Sequence, residues 1–394
     1  MSDSSEGPST ASRFGFVWDN FRYDFERSVV VHPDYEMLHL ATRSFSLPGC
    51  PGLKGEPRLV ELKPFLLPYG RAAVERCTEQ VRRAMCVKHP GIAQVFGAVF
   101  DGDKHPYLHL EHLRGCYLLT LLEVAVSLGR KLSPAFAAYV AAELADSLDY
   151  VHRRRDEEGL HLGLVHRAVG PMRVRVGVGG RVQLTHLGVL YAELLGRLHA
   201  PPEVLRGDFA YLAPELVRSL FHGGAGQGDA LTPPGLDGRA DVFSLGLVLL
   251  EMLLARHPLE AAHSLWVDVE ARFPPGERTG PPLLVELGTL ANRVLRFGPE
   301  ELHAAHAVPE PLQRIVSKAL RASPDERYAS AGDMHNDLCA YLLGLKPAHG
   351  AKEVAEEASE ILMHAAELEG VPAHAAFKQG SPPALPGTGP ESLN

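Results

Sequence analysis

The 394-residue chain lacks several features that would assign it to a familiar class of protein. Its five cysteines are odd in number and form no C-x-x-C pair, which argues against a disulfide framework. The longest apolar run, residues 242–255, is interrupted by Ser244 and Glu251 and is too short to span a bilayer. We therefore predict a buried helix there and no membrane association. The N-terminal residues also lack the basic and apolar segments of a secretory signal, so we expect a cytoplasmic protein.

Positive charge is also scarce, because 39 Lys and Arg residues face 48 Asp and Glu residues and the net charge is -9. A nucleic-acid-binding surface needs clustered Lys and Arg side chains. The short basic run at residues 153–155 is followed at once by three acidic residues, which favours a solvated turn. We predict no nucleic-acid partner. With 45% hydrophobic and 22% charged residues, the composition is that of a globular chain that buries a core.

The stretch that organises the chain is residues 164–188. Valines alternate with other residues over 174–178, a Gly-Gly pair follows, and a second short alternation covers 182–184. This pattern predicts two short strands joined by a glycine turn. The segment H-R-A-V-G-P-M-R precedes the hairpin at 166–173, and H-L-G follows it at 186–188.

Further motifs follow in the same order and spacing as in a known family. They are Y-L-A-P-E at 211–215, D-V-F-S-L-G at 241–246 and P-D-E-R at 324–327. Together with the hairpin, they resemble eukaryotic-type protein kinases, among them the bacterial Ser/Thr kinases, over residues 30–345. The resemblance implies a two-lobed α+β fold, with a small β-rich N-lobe that carries one main helix and a large, mostly helical C-lobe.

The resemblance and the composition divide the chain into five segments. We expect a partly disordered extension over 1–27, an N-lobe over 28–112 and a C-lobe over 113–345, with a Gly-rich loop inserted at 222–238. An amphipathic helix is predicted over 346–370, which docks either on the body of the protein or on a partner. The Pro/Gly/Ser-rich residues 371–394 are predicted to be disordered.

The residues that build the kinase frame are present, whereas those that transfer phosphate are replaced. The frame residues are His166, Arg167, Gly188, Glu215, Asp241 and Arg327, and the family implies an ion pair between the arginine and the glutamate of this set. The degenerate positions are Ala168, Gly170, Arg173, His186 and Asp208. Ala168 stands where the family has its catalytic aspartate, and losing a general base costs about 10²–10⁴ in rate. Arg173 and His186 stand at the metal-ligand positions and offer no oxygen to magnesium. No intact catalytic residue is predicted.

The nucleotide-binding features of the family are only partly matched. Its glycine-rich loop would lie in a first hairpin near residues 35–46, where residues 41–46 contain no glycine. Lys63 ends a predicted strand and matches the lysine that contacts the phosphates. Its partner in the following helix would be Glu79 or Gln80. The alternatives, a surface lysine and a solvated glutamate, stay open.

The predicted fifth strand leads into the segment that would meet the edge of an adenine base. Backbone groups of Glu111, His112 and Leu113 would make that contact. Recognition through the backbone survives changes of side chain, so this part of a nucleotide site is retained as a candidate. The histidines at 152, 161, 166 and 186 show no tight ligand spacing, and no metal site is predicted.

Three functions are compatible with the resemblance. The first is an inactive kinase-like module, or pseudokinase, that needs no cofactor and binds a protein, either an active kinase or its substrate. Its candidate surfaces are the activation segment around Asp208, the Gly-rich insertion and the tail helix. The second is a switch that binds ATP without magnesium, through Lys63, Arg173 and His186. The third is an active Ser/Thr kinase that uses ATP and a displaced base such as Asp208.

Overall fold

The computed structural model describes residues 15–32, 36–45, 56–64, 71–101, 105–187, 208–222, 236–255 and 308–368. By packing they divide into two units. The first contains the residues before 68 together with 95–112, and the second contains 68–94 and the chain from 113 onward. The first unit is a β-sheet and the second is mostly helical, which confirms the predicted α+β class.

The first unit is a six-stranded antiparallel sheet in the order β1-β2-β3-β4-β6-β5. Its strands are β1 (Gly15–Trp18), β2 (Phe21–His32), β3 (Glu36–Phe45), β4 (Arg58–Pro64), β5 (Val95–Asp101) and β6 (His105–Glu111). The two edge strands also meet, since β1 packs against β5 and the rings of Trp18 and Phe100 lie 4.9 Å apart. The sheet is therefore curled onto itself.

Two boundaries predicted for this sheet are wrong. The first hairpin is formed by β2 and β3, whose pairing extends to His32 and Glu36, so residues 41–45 lie inside a strand and not at a phosphate loop. The boundary drawn at residue 28 also lies inside β2, because the aromatic residues of 15–27 supply part of the core. No glycine occurs between Gly15 and Gly49, so the hairpin contains no glycine-rich loop.

Aromatic side chains fill the concave face of the sheet. Phe16 stacks on Tyr23 at 5.0 Å and on Tyr107 at 5.8 Å between ring centroids. The imidazole of His109 lies in the same cluster, with the Phe96 ring at 4.7 Å and the hydroxyl of Tyr23 at 3.5 Å from Nδ1. His109 is buried, and its Nε2 has no hydrogen-bond partner among the described residues. The neutral imidazole therefore packs as an aromatic core residue.

The position of His109 predicts acid sensitivity. Burial, and then the positive charge of Arg43, lower the pKa of His109 from 6.5 to about 3. As the pH falls, His109 is protonated in the unfolded chain before it is protonated in the folded one. The free energy of unfolding is therefore highest above pH 6.5 and decreases as the pH falls from 6.5 towards 3. At two pH units below 6.5, the free energy of unfolding has fallen by about 2–3 kcal/mol through this group.

Urea unfolding at pH 7.5 and pH 4.5 measures this effect. We expect the wild type to lose about 2–3 kcal/mol more than His109→Phe over this interval. The control is His161→Phe, because His161 is exposed; this variant should lose as much as the wild type. Equal losses in all three proteins would contradict the role given to His109.

The second unit is built around one buried helix. Its helices are α1 (Arg71–Met85), α2 (Leu118–Ser127), α3 (Pro134–His152), α4 (Pro214–His222), α5 (Arg239–Leu254), α6 (Glu310–Ala319), α7 (Ala331–Leu343) and α8 (Ala351–Leu368). Residues 240–253 of α5 are all buried, as the sequence predicts for its longest apolar run. Helix α3 packs against both α5 and α7. Ser133 caps α3, because its hydroxyl accepts a hydrogen bond from the Phe136 N–H at 3.0 Å.

A three-stranded antiparallel sheet, β7-β8-β9, lies in the second unit. Strand β7 (Gly115–Tyr117) pairs with β8 (Val174–Gly177), and β8 pairs with β9 (Val182–Leu184). The predicted hairpin with its glycine turn is thus confirmed. At Gly115, φ is 158° and a Cβ atom would lie 2.0 Å from the Val176 carbonyl oxygen, so only glycine fits this crossing.

Helix α1 belongs by packing to the second unit, although the sequence placed residues 28–112 in one lobe. The adjoining segment explains this assignment. Arg181 and Gln183 of the β8–β9 hairpin both donate to the Pro90 carbonyl, and Ile92 forms a bridge with Leu184. The residues that follow α1 are therefore bonded to the second unit.

The tail helix α8 packs on the second unit, against α2, α3 and β8. Its apolar face, which includes Val354 and Ile361, is buried there. The Glu357 carboxylate accepts hydrogen bonds from both the N–H and the hydroxyl of Ser133 at 2.6 Å. The sequence predicted that this helix docks either on the body of the protein or on a partner, and in the structure it docks on the body. The segments predicted to be disordered, 1–13 and 371–394, lie outside the described residues, as does most of the 222–238 insertion.

In the described parts of the chain, no helix has the length and apolar character needed to cross a bilayer.

Candidate functional site

The Asp241 carboxylate, in the first turn of α5, holds the 166–173 loop. One oxygen accepts the Arg167 N–H at 2.7 Å, and the other accepts the His166 N–H at 2.7 Å and the His152 Nε2 at 2.8 Å. Burial alone would raise the pKa of Asp241, but the hydrogen bond and charge of His152, with the contributions of His166, bring it below its usual value. The carboxylate is therefore ionised, and it fixes the backbone of two consecutive loop residues.

His166 joins this loop to the end of β9. Its Nε2 donates to the Thr185 carbonyl at 2.8 Å, and its Nδ1 accepts the Ala168 N–H at 3.3 Å. This pair of contacts assigns the neutral tautomer with the proton on Nε2. His166 therefore links the 166–173 loop to the end of β9 through its side chain.

Arg167 ties the loop to α1. Its backbone is left-handed, with φ 64°, and its Nη2 donates to the Gln80 side-chain oxygen at 3.0 Å. Glu79, the other candidate on α1, binds Arg82 and Arg83, each at 2.9 Å through its Nε atom. The predicted pair between Lys63 and Glu79 joins residues of different units and stays a prediction.

The degenerate positions are packed into the second unit. Ala168 and His186 are buried, and the His186 Nδ1 lies 2.7 Å from the Thr185 hydroxyl. Arg173 is the largest of the fully buried side chains, with 2% exposed. A Cβ atom on Gly170 would lie 3.1 Å from the Tyr211 ring. None of these four positions carries a carboxylate or an amide side chain.

Tyr211 is held in place at both ends. Its hydroxyl donates to the Glu251 carboxylate at 2.5 Å, and its carbonyl accepts the Ser244 hydroxyl at 2.6 Å. It ends a 3₁₀ turn that begins at Asp208. The side chain of Asp208 and all of Gly188 lie outside the described residues.

The ion pair expected between Arg327 and Glu215 is present. It is bidentate, with Nη1 and Nη2 at 2.7 and 2.8 Å from the two carboxylate oxygens. The same guanidinium donates to the carbonyls of Arg321, Arg239 and Ala322 and lies 4.9 Å from the centre of the Phe243 ring. The side chain of Arg327 is fully buried, so this pair anchors α4 to the turn before α7.

The segment proposed for adenine recognition crosses the boundary between the units. Glu111 ends β6 in the first unit. His112 lies in the same unit, and its Nδ1 is 2.8 Å from the buried Glu61 carboxylate. Leu113 belongs to the second unit, and its carbonyl accepts a hydrogen bond from Arg175 of β8 at 2.5 Å.

The sequence reasoning missed two functional contacts. The first is the hydrogen bond between His152, at the end of α3, and Asp241. These two residues are 89 positions apart in the sequence. The second contact is that of Arg175 with the Leu113 carbonyl, since the sequence predicts only an alternating strand position for Arg175. The one signal for it was a charge in the otherwise apolar V-R-V run.

Known proteins with similar sequences are kinases. No protein family model matches the chain. The tyrosine-protein kinase MasK of Myxococcus xanthus is 27% identical over 279 residues, which cover 69% of this chain and 41% of MasK. The serine/threonine-protein kinase PknB of Mycolicibacterium smegmatis is 26% identical over 299 residues, 74% of this chain and 39% of PknB. The chain thus spans about two fifths of the length of these relatives.

Known structures agree on the fold. The crystal structure of the PknI kinase domain of Mycobacterium tuberculosis matches with a TM-score of 0.50 and 20% identity, and the match covers 83% of this chain and 98% of that domain. The order of the motifs, the β-rich and helical units and these similarities agree with one another. The chain therefore has a protein-kinase-like fold, and its sequence is similar to those of bacterial protein kinases.

Proposed function

We propose that the chain is a pseudokinase, a kinase-like module that does not transfer phosphate and acts by binding another protein. The observation that carries this proposal is the contrast within residues 166–173. Asp241 fixes the backbone of His166 and Arg167, whereas the next residue, Ala168, places a buried methyl group where the family has its base. The frame of the loop is thus kept without the group that would accept a hydroxyl proton.

The packing around Gly170 supports the same conclusion. The family motif has a lysine at this position, but here a Cβ atom would lie 3.1 Å from the Tyr211 ring. Glu251 and Ser244 hold that tyrosine from both sides. A side chain at 170 would crowd this ring, whose hydroxyl is bound to Glu251.

The metal-binding positions support it further. Magnesium is bound by oxygen ligands, usually carboxylates and phosphates. Arg173 instead places a guanidinium in the interior, and His186 offers an imidazole. A fixed positive charge at this place opposes a divalent cation.

The two alternatives draw less support. A magnesium-free ATP switch would need Lys63, Arg173 and His186 to reach phosphates, but each of these side chains is buried. An active kinase with Asp208 as a displaced base would need an acidic side chain that lies outside the described residues.

The proposed partner is an active kinase or the substrate of one. Of the three surfaces suggested by the sequence, the tail helix uses its apolar face for packing on the second unit. It can therefore offer a partner only its polar face, which includes Lys352, Glu356 and Glu360.

Phosphate incorporation tests the proposal. The purified chain is incubated with radiolabelled ATP and magnesium or manganese, alone and with a general protein substrate, beside an active kinase domain as the positive control. We expect incorporation no higher than that of Lys63→Met, because loss of the base alone costs about 10²–10⁴ in rate. Incorporation that Lys63→Met or Asp208→Asn abolishes would show an active kinase instead.

A further inference from the structure

One charged side chain in the second unit has no part in the kinase frame. Arg175 is buried in the middle of β8, between Val174 and Val176. Its neighbours across the sheet are Tyr117 on β7 and Gln183 on β9. Directly paired residues of neighbouring strands share a face, so Arg175 lies on the face of Tyr117 and not on that of the two valines.

The guanidinium of Arg175 contacts the short segment 113–117. It lies 4.7 Å from the centre of the Tyr117 ring, a cation–π distance. Its Nη2 atom donates to the Leu113 carbonyl at 2.5 Å and lies 3.4 Å from the Gly115 carbonyl. Gly115 allows β7 and β8 to approach closely. The Arg175 side chain, which starts from β8, therefore reaches the carbonyls of Leu113 and Gly115.

The Leu113 carbonyl belongs to the segment that would recognise an adenine base. The next carbonyl, that of Arg114, accepts the Val178 N–H at 3.0 Å, so both carbonyls that follow His112 already receive hydrogen bonds from β8 and the turn after it. A carbonyl oxygen can accept two hydrogen bonds, but the guanidinium also takes up the space beside Leu113. A base would have to displace a charge-assisted hydrogen bond and leave the buried cation without this acceptor.

We propose that Arg175 is an internal substitute for the base, and that it prevents adenine nucleotides from binding at Leu113. This inference rests on the proposed function and deepens it, because it explains why an inactive module need not retain ATP. It identifies Arg175 as the residue that sets nucleotide affinity, in addition to the missing glycine-rich loop.

Nucleotide titration of the full chain tests this role. The probe is ADP with an N-methylanthraniloyl fluorophore on the ribose, in EDTA and in magnesium. The variant is Arg175→Met, whose unbranched side chain still packs on Tyr117 but has no donor. The matched control is Arg181→Met, which removes an arginine that donates to the Pro90 carbonyl at the far end of the hairpin.

We expect no saturable binding up to 1 mM probe for the wild type and Arg181→Met. Arg175→Met should bind the probe saturably, with a dissociation constant at least tenfold below this limit, which corresponds to about 1.4 kcal/mol. Saturable binding by the wild type as tight as that of Arg175→Met would overturn the inference. A cooperatively folded Arg175→Met that does not bind would also overturn it. If this variant does not fold, Arg175→Leu, which also has no donor, is judged by the same criteria. Phosphate incorporation by the wild type would instead refute the proposed function, whereas binding without incorporation refutes only the role of Arg175.

Discussion

Replacing Arg327 with alanine is expected to lower the free energy of unfolding by about 3–5 kcal/mol, because a partner of a buried ion pair is removed. Glu215 would keep its negative charge without the bidentate guanidinium. The carbonyls of Arg321, Arg239 and Ala322 would lose a donor as well. Thermal and urea unfolding measure the loss, which should appear as a fall of several degrees in the melting temperature.

The control for this variant is Arg82→Ala, since Arg82 also pairs with a glutamate but leaves 76% of its side chain exposed. An exposed ion pair contributes about 0–1 kcal/mol, so this change should have little effect. A double variant that also replaces Glu215 with glutamine should recover part of the loss, because the uncompensated charge is then absent. An Arg327→Ala protein as stable as Arg82→Ala would contradict the anchoring role of the pair.

Asp241→Asn is expected to destabilise the second unit by a similar amount, roughly 3–5 kcal/mol. Three donors converge on this buried carboxylate, and one of its oxygens accepts from both His166 and His152. An amide nitrogen at either position would face a donor, so at least one buried N–H would lose its acceptor. Urea unfolding monitored by circular dichroism at pH 7.5 measures the loss.

The matched control is Asp146→Asn. Asp146 also pairs with a histidine, His89, at 3.4 Å, but 57% of its side chain is exposed. We expect a change of less than about 1 kcal/mol in this variant. If Asp241→Asn were as stable as Asp146→Asn, the hydrogen bonds of Asp241 would not be what fixes the backbone of the 166–173 loop.

The elements that the sequence predicted well carry their signal locally. Ser133-Pro134 marks the start of α3 through its own side chain and ring, and the run at 242–253 has no polar face that could meet water. The pairing of Glu215 with Arg327 was implied by the family motifs, since no local pattern links residues 112 positions apart.

The elements that the sequence placed wrongly depend on distant partners. The register of β2 and β3 is set by the aromatic core that β1 completes, and the family pattern contains no signal for that strand. Helix α1 joins the second unit through contacts such as that of Gln80 with Arg167, 87 residues away. Likewise, the V-R-V pattern shows that Arg175 lies on one face of a strand but not that Leu113 accepts its hydrogen bond.

The contact between Glu357 and Ser133 makes α8 an integral part of the second unit. The family-like region stops near residue 345, yet the acceptor for the two donors of the α3 cap lies in α8. A fragment ending at 345 would uncover the apolar surface on which Val354 and Ile361 pack, and would leave the Ser133 N–H without its carboxylate. The packed second unit therefore includes α8 as far as Leu368, more than twenty residues beyond the region that resembles kinases.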